Sequence, residues 1–210
     1  GNAYAGSDTI VYIIDNTAPT QTVSSVSLSA DTGTSSTDEI TKTASQTISG
    51  TLSGALASGD ILYGSVNNGS SWTDITSKVS SDTAISWNGA TLSGSDNIVF
   101  KITDAAGNDS STTGSTAYVL DTTAPTLTVS SVSLSADTGT SSTDEITKTA
   151  SQTISGTLSG ALASGDILYG SVNNGSSWTD ITSKVSSDTA ISWNGATLSG
   201  SDNIVFKITD

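Results

Sequence analysis

The sequence predicts an all-β chain of tandem antiparallel β-sandwich domains, about seven strands each. Three observations predict it. Ser, Thr and Gly crowd every window, so no stretch carries the apolar period of an amphipathic helix. Apolar residues recur instead at period two in short runs, and turn-forming clusters interrupt those runs roughly every 8 to 12 residues, the spacing of a sandwich. Finally, the chain repeats itself: shifted by 106 residues, Asp15–Asp104 matches Asp121–Asp210 at 88 of 90 positions, with Asn16 against Thr122 and Gln21 against Leu127 as the exceptions. A repeat of this length is a tandem domain array, and its seam is the hexapeptide Asp121-Thr122-Thr123-Ala124-Pro125-Thr126, foreshadowed at Asp15–Thr20.

The array divides into residues 1–14, 15–120 and 121–210. Gly1, Asn2 and Tyr12 align with Gly107, Asn108 and Tyr118, so residues 1–14 are expected to form the last strand of an upstream repeat. Residues 121–210 are expected to lack a last strand of their own. An unpaired edge recruits a strand. The expectation is therefore that Thr9–Ile14 of one copy adds, head to tail, beside Asn203–Thr209 of a neighbour, the alternative being that it packs loosely on its own first domain.

Within the first full repeat, the first strand is expected at Thr22–Ser29. Val23 falls on one face and Val26 and Leu28 on the other, which calls for a bulge near Ser24 and Ser25. A polar loop, Ala30–Ser45, follows. The next strand, Thr47–Ser53, points Ile48 and Leu52 inward, and Asp60–Val66 carries Ile61, Leu62 and Tyr63. Asn67-Asn68-Gly69-Ser70 closes a hairpin, because Asn-Gly supplies the positive φ such turns require, and Ser71–Thr76 is its return strand. Thr83–Asn88 places Ile85 and Trp87 on one face. Asn97–Thr103 alternates most cleanly, with Ile98, Phe100 and Ile102 inward and Val99, Lys101 and Thr103 outward. Ser115–Leu120 is the last strand before the seam. Counting down and up, Ala30–Ser45 shares one end of the sandwich with the seam, and the turn after Thr103 lies at the other.

Composition removes many functions. There is no Cys, His or Met, and all six basic residues are Lys, which excludes disulfides, thiol and imidazole chemistry, and Cys/His metal sites. Twenty acidic residues give a formal net charge of −14, which disfavours nucleic acid as a partner and favours a cation, with plain solubility as the alternative. No run of apolar residues is long enough to span a membrane. Enzyme chemistry would have to rest on carboxylate pairs, and Asp38 and Glu39 are sequence neighbours instead of groups facing each other across a cleft. Trp72 and Trp87 could stack on a sugar, but the parity of Ile85 and Trp87 makes Trp87 core, and Trp72 beside the hairpin reads as packing.

The carboxylates cluster at the seams. The loop between the first two strands offers Asp31, Asp38 and Glu39, the seam adds Asp121, and the corresponding turn of the following repeat begins with Asp210. The equivalent set at the start of the first repeat is Asp15, Asp104 and Asn108 with Asp109, and the second repeat carries Asp137, Asp144 and Glu145. Hard oxygen ligands drawn from several loops suit Ca²⁺, which takes six to eight oxygens, better than Mg²⁺. The alternatives are solvated surface carboxylates and, for Asp104-Ala105-Ala106-Gly107-Asn108, a tight turn without a ligand role.

The seam Asp121–Thr126, the hairpin Val66-Asn67-Asn68-Gly69-Ser70-Ser71-Trp72-Thr73-Asp74 and the turn Asp104–Asn108, at this spacing and in tandem, resemble the bacterial Ig-like extender repeats of giant repeats-in-toxin adhesins. The resemblance covers essentially the whole chain. It implies Ig-like domains stacked in large numbers, type I secretion to the cell surface, and Ca²⁺ at domain junctions that stiffens the array and projects a distal ligand-binding tip. The junction positions that match are Asp15, Asp121, Asp31, Asp38 and Asp104. It implies neighbouring repeats as the partners and no enzymatic activity. A rival expectation is a repeated carbohydrate- or ice-binding module, for which no regular Thr-x-Thr ladder is present.

Overall fold

The computed structural model describes residue 6, residues 10–33 and residues 35–210. Of the segment expected to form an upstream strand, residues 10–14 are described and belong to no strand; residues 1–5 and 7–9, and Thr34 of the first acidic loop, lie outside the described residues. The chain divides into two units, Gly1–Thr122 and Thr123–Asp210.

Period-two patterning sets the architecture of unit 1. Along Ser45–Leu52 every second residue, Gln46, Ile48, Gly50 and Leu52, is buried. Strands β1 (Val23–Leu28), β3 (Ser45–Leu52), β7 (Ala84–Thr91) and β6 (Val79–Ser80) form one antiparallel sheet in the order β1-β3-β7-β6. The facing sheet takes β2 (Ile40–Thr41), β9 (Thr113–Leu120), β8 (Ser95–Thr103), β4 (Ile61–Ser65) and β5 (Thr73–Asp74) in the order β2-β9-β8-β4-β5. All pairs are antiparallel except β2 and β9, which run parallel with Ile40 opposite Val119. The core between the sheets holds Ile48, Leu62, Ile75, Ile98, Phe100 and Ile102, all fully buried.

Side-chain shape locks the two sheets together. Trp87 of β7 meets Phe100 of β8 edge to face, with centroids 6.4 Å apart and planes at 74°, a favoured aromatic geometry. Its indole also fills the space above Gly64 of β4, where a Cβ would sit 2.6 Å from Cζ3. Trp87 is therefore core, as its parity predicts.

The expected strands are present with local changes. The bulge lies between Ser24 and Ser27, with Ser25 at φ 52°, and its extra residue returns Val23 and Leu28 to the same buried face instead of leaving them on opposite ones. The strand expected at Ser71–Thr76 is only Thr73–Asp74. The Asp74 carboxylate accepts from both N and Oγ1 of Thr76, which turns the chain into a 3₁₀ segment at Thr76–Lys78. Val99, expected outward, is 2% exposed; it sits at the irregularity between Ile98 and Phe100 in the pairing of β8 with β9, where strict alternation breaks. The short strands β2 and β6 come out of segments read as loops.

Unit 2 repeats these registers in β10 (Val129–Leu134), β11 (Ser151–Leu158), β15 (Ala190–Thr197) and β14 (Val185–Ser186). Its second sheet holds β13 (Thr179–Asp180), β12 (Ile167–Ser171) and β16 (Val205–Thr209). Among the described residues this sheet ends at β16, and Phe206 and Ile208 are half-buried where Phe100 and Ile102 are buried.

Gly64→Ala is expected to destabilise unit 1 by about 1 to 3 kcal/mol, since the added methyl must displace the Trp87 ring from a packed core. Urea unfolding followed by Trp fluorescence measures this; a loss below about 0.5 kcal/mol would show that the indole is not held against β4.

Candidate functional site

The first acidic loop is built around a buried amide. Gln46 faces inward on β3, and its Nε2 donates to Ala30 O at 3.0 Å and Thr43 O at 2.7 Å. Its Oε1 accepts from Ala30 N at 2.9 Å and Ser29 Oγ at 3.1 Å. Thr41, also buried, donates its hydroxyl to Ala30 O at 2.5 Å. Both ends of the loop are thus tied to one side chain. The sequence reading missed Gln46 and Thr41 because it started the strand at Thr47. The available signal was parity, since Gln46 occupies the same inward phase as Ile48 and Leu52.

Held this way, the loop's carboxylates fold it from within. Asp31 Oδ2 accepts from Glu39 N at 3.1 Å, Asp38 Oδ1 from Ile40 N at 3.2 Å, and Glu39 Oε2 from Leu28 N at 3.0 Å. Glu39 takes φ 58°, a left-handed turn that reverses the chain into β2. The other oxygen of Asp31, Oδ1, is buried and has no hydrogen-bond partner among the described residues. A buried carboxylate oxygen without a donor is costly and calls for a cation or a water.

Unit 2 reproduces the loop. Asp137 Oδ2 accepts from Asp144 N and Glu145 N, Asp144 Oδ1 from Ile146 N, and Glu145 Oε2 from Leu134 N. Gln152 repeats the role of Gln46, and Asp137 Oδ1 is again buried without a partner. The conformation therefore belongs to each repeat by itself.

The parallel pairing of β2 with β9 brings the end of unit 1 alongside this loop: Val119 N donates to Glu39 O at 3.0 Å and Asp121 N to Thr41 O at 2.9 Å. Asp31, Asp38, Glu39 and Asp121 thus share one end of the sandwich, as the strand count predicts. The opposite end carries the other expected set. Asp104 Oδ1 accepts from Ala106 N and Asn108 N, and Asn108 Nδ2 donates to Asp104 Oδ2 at 2.9 Å and to the Asp15 carbonyl at 3.1 Å. Asp15, Asp104 and Asn108 are together, with Asp104 serving as the acceptor that closes the turn. Asp109 is engaged elsewhere, taking Lys101 Nζ at 2.8 Å and the Thr103 hydroxyl. Asp210 is exposed, directly after β16 in unit 2. Among the described residues no three acidic side chains converge into a ready cage.

The two ends of unit 1 titrate in opposite senses. At Asp104, hydrogen bonds from the Asn108 amide and then the Asn108 backbone hold the carboxyl below the ordinary aspartate range. That contribution is complete above the ordinary aspartate value and is lost as pH falls through the lowered one. Glu39 is pushed upward, chiefly by burial, against the stabilising Leu28 N–H and with Asp31 and Asp38 adding repulsion. Between the ordinary and raised values the folded chain holds more protons than the unfolded one, so Glu39 removes stability as pH rises through that window.

The aromatic pair is occupied. Lys101 Nζ lies 5.2 Å from the Trp72 ring and 5.5 Å from Tyr63, and Lys207 lies 4.4 Å from Trp178 and 5.0 Å from Tyr169. These are cation–π contacts within the sheet.

No protein-family model matches the chain, and no curated protein sequence does. Among solved structures the chain is similar to a tetra-tandem repeat in the extending region of a large adhesion protein, at 15% identity and a TM-score of 0.28, over 90% of this chain and 48% of that one. It spans about half the length of that structure, and a likeness of this degree transfers neither site nor function. No helix among the described residues is long and apolar enough to cross a membrane.

Glu39→Gln keeps an oxygen for Leu28 N–H while removing the charge, so in chelator it is expected to raise stability at pH 7 and to have little effect below about pH 4. Urea titrations at the two pH values check this; a variant destabilised at pH 7 would show that burial does not penalise the Glu39 charge.

Proposed function

We propose that this chain is a non-enzymatic, extracellular spacer: two consecutive repeats from the extender region of a large bacterial surface adhesin, stiffened at domain junctions by Ca²⁺ so that a distal ligand-binding tip is held away from the cell. The observation that carries the proposal is the buried Oδ1 of Asp31, without a partner among the described residues, recurring at Asp137 in the same loop of the second repeat. Near identity of the repeats supports a spacer as well. A domain that reads a ligand needs one particular surface, whereas a spacer is selected on length and stiffness.

In this reading Asp31, Asp38 and Glu39 supply oxygens from the loop, Asp121 supplies another from the strand end, and Asp210 supplies one from the turn of the following repeat. Asp137 and Asp144 do the same one repeat further on, and Asp15, Asp104 and Asn108 one repeat earlier. These donors are all hard oxygens, the kind Ca²⁺ takes. Two carboxylates about 5 Å apart repel by roughly 3 kcal/mol at an effective dielectric near 20; a bound divalent cation supplies the opposite charge. The residues themselves do the positioning: Gln46 fixes the loop, and pairing of Thr41 with the chain at Asp121 fixes the seam beside it. The rival reading, a carbohydrate platform, gains nothing from Trp72, whose ring is capped by Lys101.

Thermal unfolding with Ca²⁺ against chelator tests the proposal. Extracellular-grade sites bind at about 10⁻⁴ to 10⁻³ M, so about 10 mM Ca²⁺ is expected to add about 1.4 to 2.7 kcal/mol per site. Asp31→Asn is expected to abolish the part contributed by its own loop. Identical melting with and without Ca²⁺ would refute the Ca²⁺ mechanism.

A further inference from the structure

The sequence contains three Asn-x-Ser triplets, at Asn68, Asn108 and Asn174, the pattern that N-linked glycosylation requires. The fold treats them differently. In the hairpin Asn67-Asn68-Gly69-Ser70 the first asparagine builds the turn. Asn67 Oδ1 accepts from Ser65 Oγ and from Ser71 N, each at 2.8 Å, and Asn67 Nδ2 donates to Ser71 Oγ at 2.8 Å. The buried Ser65 hydroxyl also accepts from Gly69 N at 2.9 Å, and Ser70 N donates to Asn67 O at 3.0 Å. With the turn closed in this way, the side chain of Asn68 has no structural task. Asn68 takes φ 50°, a left-handed conformation that asparagine tolerates, and both it and Ser70 are exposed. Among the described residues neither the Asn68 amide nor the Ser70 hydroxyl has a hydrogen-bond partner. Unit 2 repeats the arrangement: Asn173 is tied to Ser171 and Ser177, while Asn174, at φ 51°, and Ser176 are exposed with free side chains.

The third triplet is the opposite case. Asn108 Nδ2 donates to Asp104 Oδ2 at 2.9 Å and to the Asp15 carbonyl at 3.1 Å. Ser110 Oγ accepts from Ile102 N at 2.9 Å and donates to Ser111 O at 3.0 Å. Both the amide and the hydroxyl of this triplet are committed to closing the turn.

We propose that Asn68 and Asn174 are acceptor sites for an N-linked sugar and that Asn108 is not. In the step itself, Asn Nδ2 bonds to the anomeric carbon of a phosphate-activated sugar. The bond from that carbon to the phosphate oxygen breaks, the phosphate group leaves with the electron pair, and one Nδ2 proton passes to a base of the glycosyltransferase that brings the sugar. An amide nitrogen is a poor nucleophile, because its lone pair is delocalised into the carbonyl. The transferase has to grip and turn the amide, and a side chain without internal partners allows this. At Asn108 the same movement breaks the hydrogen bonds that hold Asp104 and Asp15 together. The attached sugar stands in water at the tip of the hairpin, at the same place in each repeat. The modification uses no cation, so it stands apart from the spacer reading.

The test incubates the folded 210-residue chain with UDP-glucose and a soluble asparagine glycosyltransferase that accepts Asn-x-Ser triplets, and follows intact mass. A synthetic peptide of residues 66–74, which carries the triplet without the fold, is the positive control for the enzyme. The chain is expected to gain the mass of two hexoses, and peptide mapping is expected to place one on Asn68 and one on Asn174, with Asn108 unmodified. Ser70→Ala with Ser176→Ala removes the triplet hydroxyls at exposed positions and leaves the turn asparagines in place. This double variant is expected to melt at the same temperature as the parent chain and to gain no hexose. A folded chain that gains no hexose, modification of Asn108 to the same extent as Asn68 and Asn174, or undiminished modification of the double variant would each overturn the proposal.

Discussion

One buried amide organises the acidic end of each repeat. Gln46 satisfies the Ala30 backbone at both its N–H and its carbonyl and reaches the Thr43 carbonyl as well, so a loop rich in Ser, Thr and Asp acquires a single shape. Leaving such backbone groups unpaired in a buried setting costs about 1 to 3 kcal/mol each, which makes the loop conformation robust despite its polar sequence. Everything that follows at this end depends on it: the left-handed turn at Glu39, the two-residue strand β2, the pairing of β2 with β9, and the placing of Asp31 with one carboxylate oxygen engaged and the other buried alone. Gln152 repeats the arrangement in unit 2, together with the Thr147, Asp137, Asp144 and Glu145 hydrogen bonds.

The second constraint is the last strand. With β9 in place, Ile98, Phe100 and Ile102 are sealed, and Glu39 is half-buried and its charge penalised. Among the described residues of unit 2, Ile204, Phe206 and Ile208 are partly open and Glu145, the counterpart of Glu39, is exposed. In unit 1 the strand that covers the core also pairs with β2, beside Glu39. Electrostatics at the seam and packing in the core are coupled through the backbone of β9.

Much of this was legible in the sequence, and what was not has identifiable causes. Strong alternation made the strand around Ile98, Phe100 and Ile102 plain, and the Asn68-Gly69 turn and the bulge beside Ser24 follow from local chemistry. Asp15, Asp104 and Asn108 lie at one end of unit 1, and Asp121 lies beside the loop of Asp31, Asp38 and Glu39 at the other, because down-and-up topology dictates which loops share an end. Burial of Val99 was not legible, since it sits at an irregularity in the β8–β9 pairing that alternation along one strand does not show. Nor was Gln46: a polar residue at an inward position reads as a strand boundary until its partners, 3 and 16 residues away in sequence, are seen. The carboxylates gave their position but not their engagement, because an Asp that caps a turn and an Asp that awaits a cation have the same spacing.

Each repeat carries a preshaped acidic end with one buried carboxylate oxygen that lacks a donor among the described residues, and under the proposed function a cation there turns a series of repeats into a strut. The most direct measurement is the distribution of distances between spin labels placed on the two units, at exposed positions such as Ser77 and Ser183, by pulsed electron paramagnetic resonance with and without Ca²⁺. If Ca²⁺ stiffens the junction as proposed, the distribution is broad in chelator and collapses to a narrow one at millimolar Ca²⁺. A distribution of unchanged width on adding Ca²⁺ would contradict it.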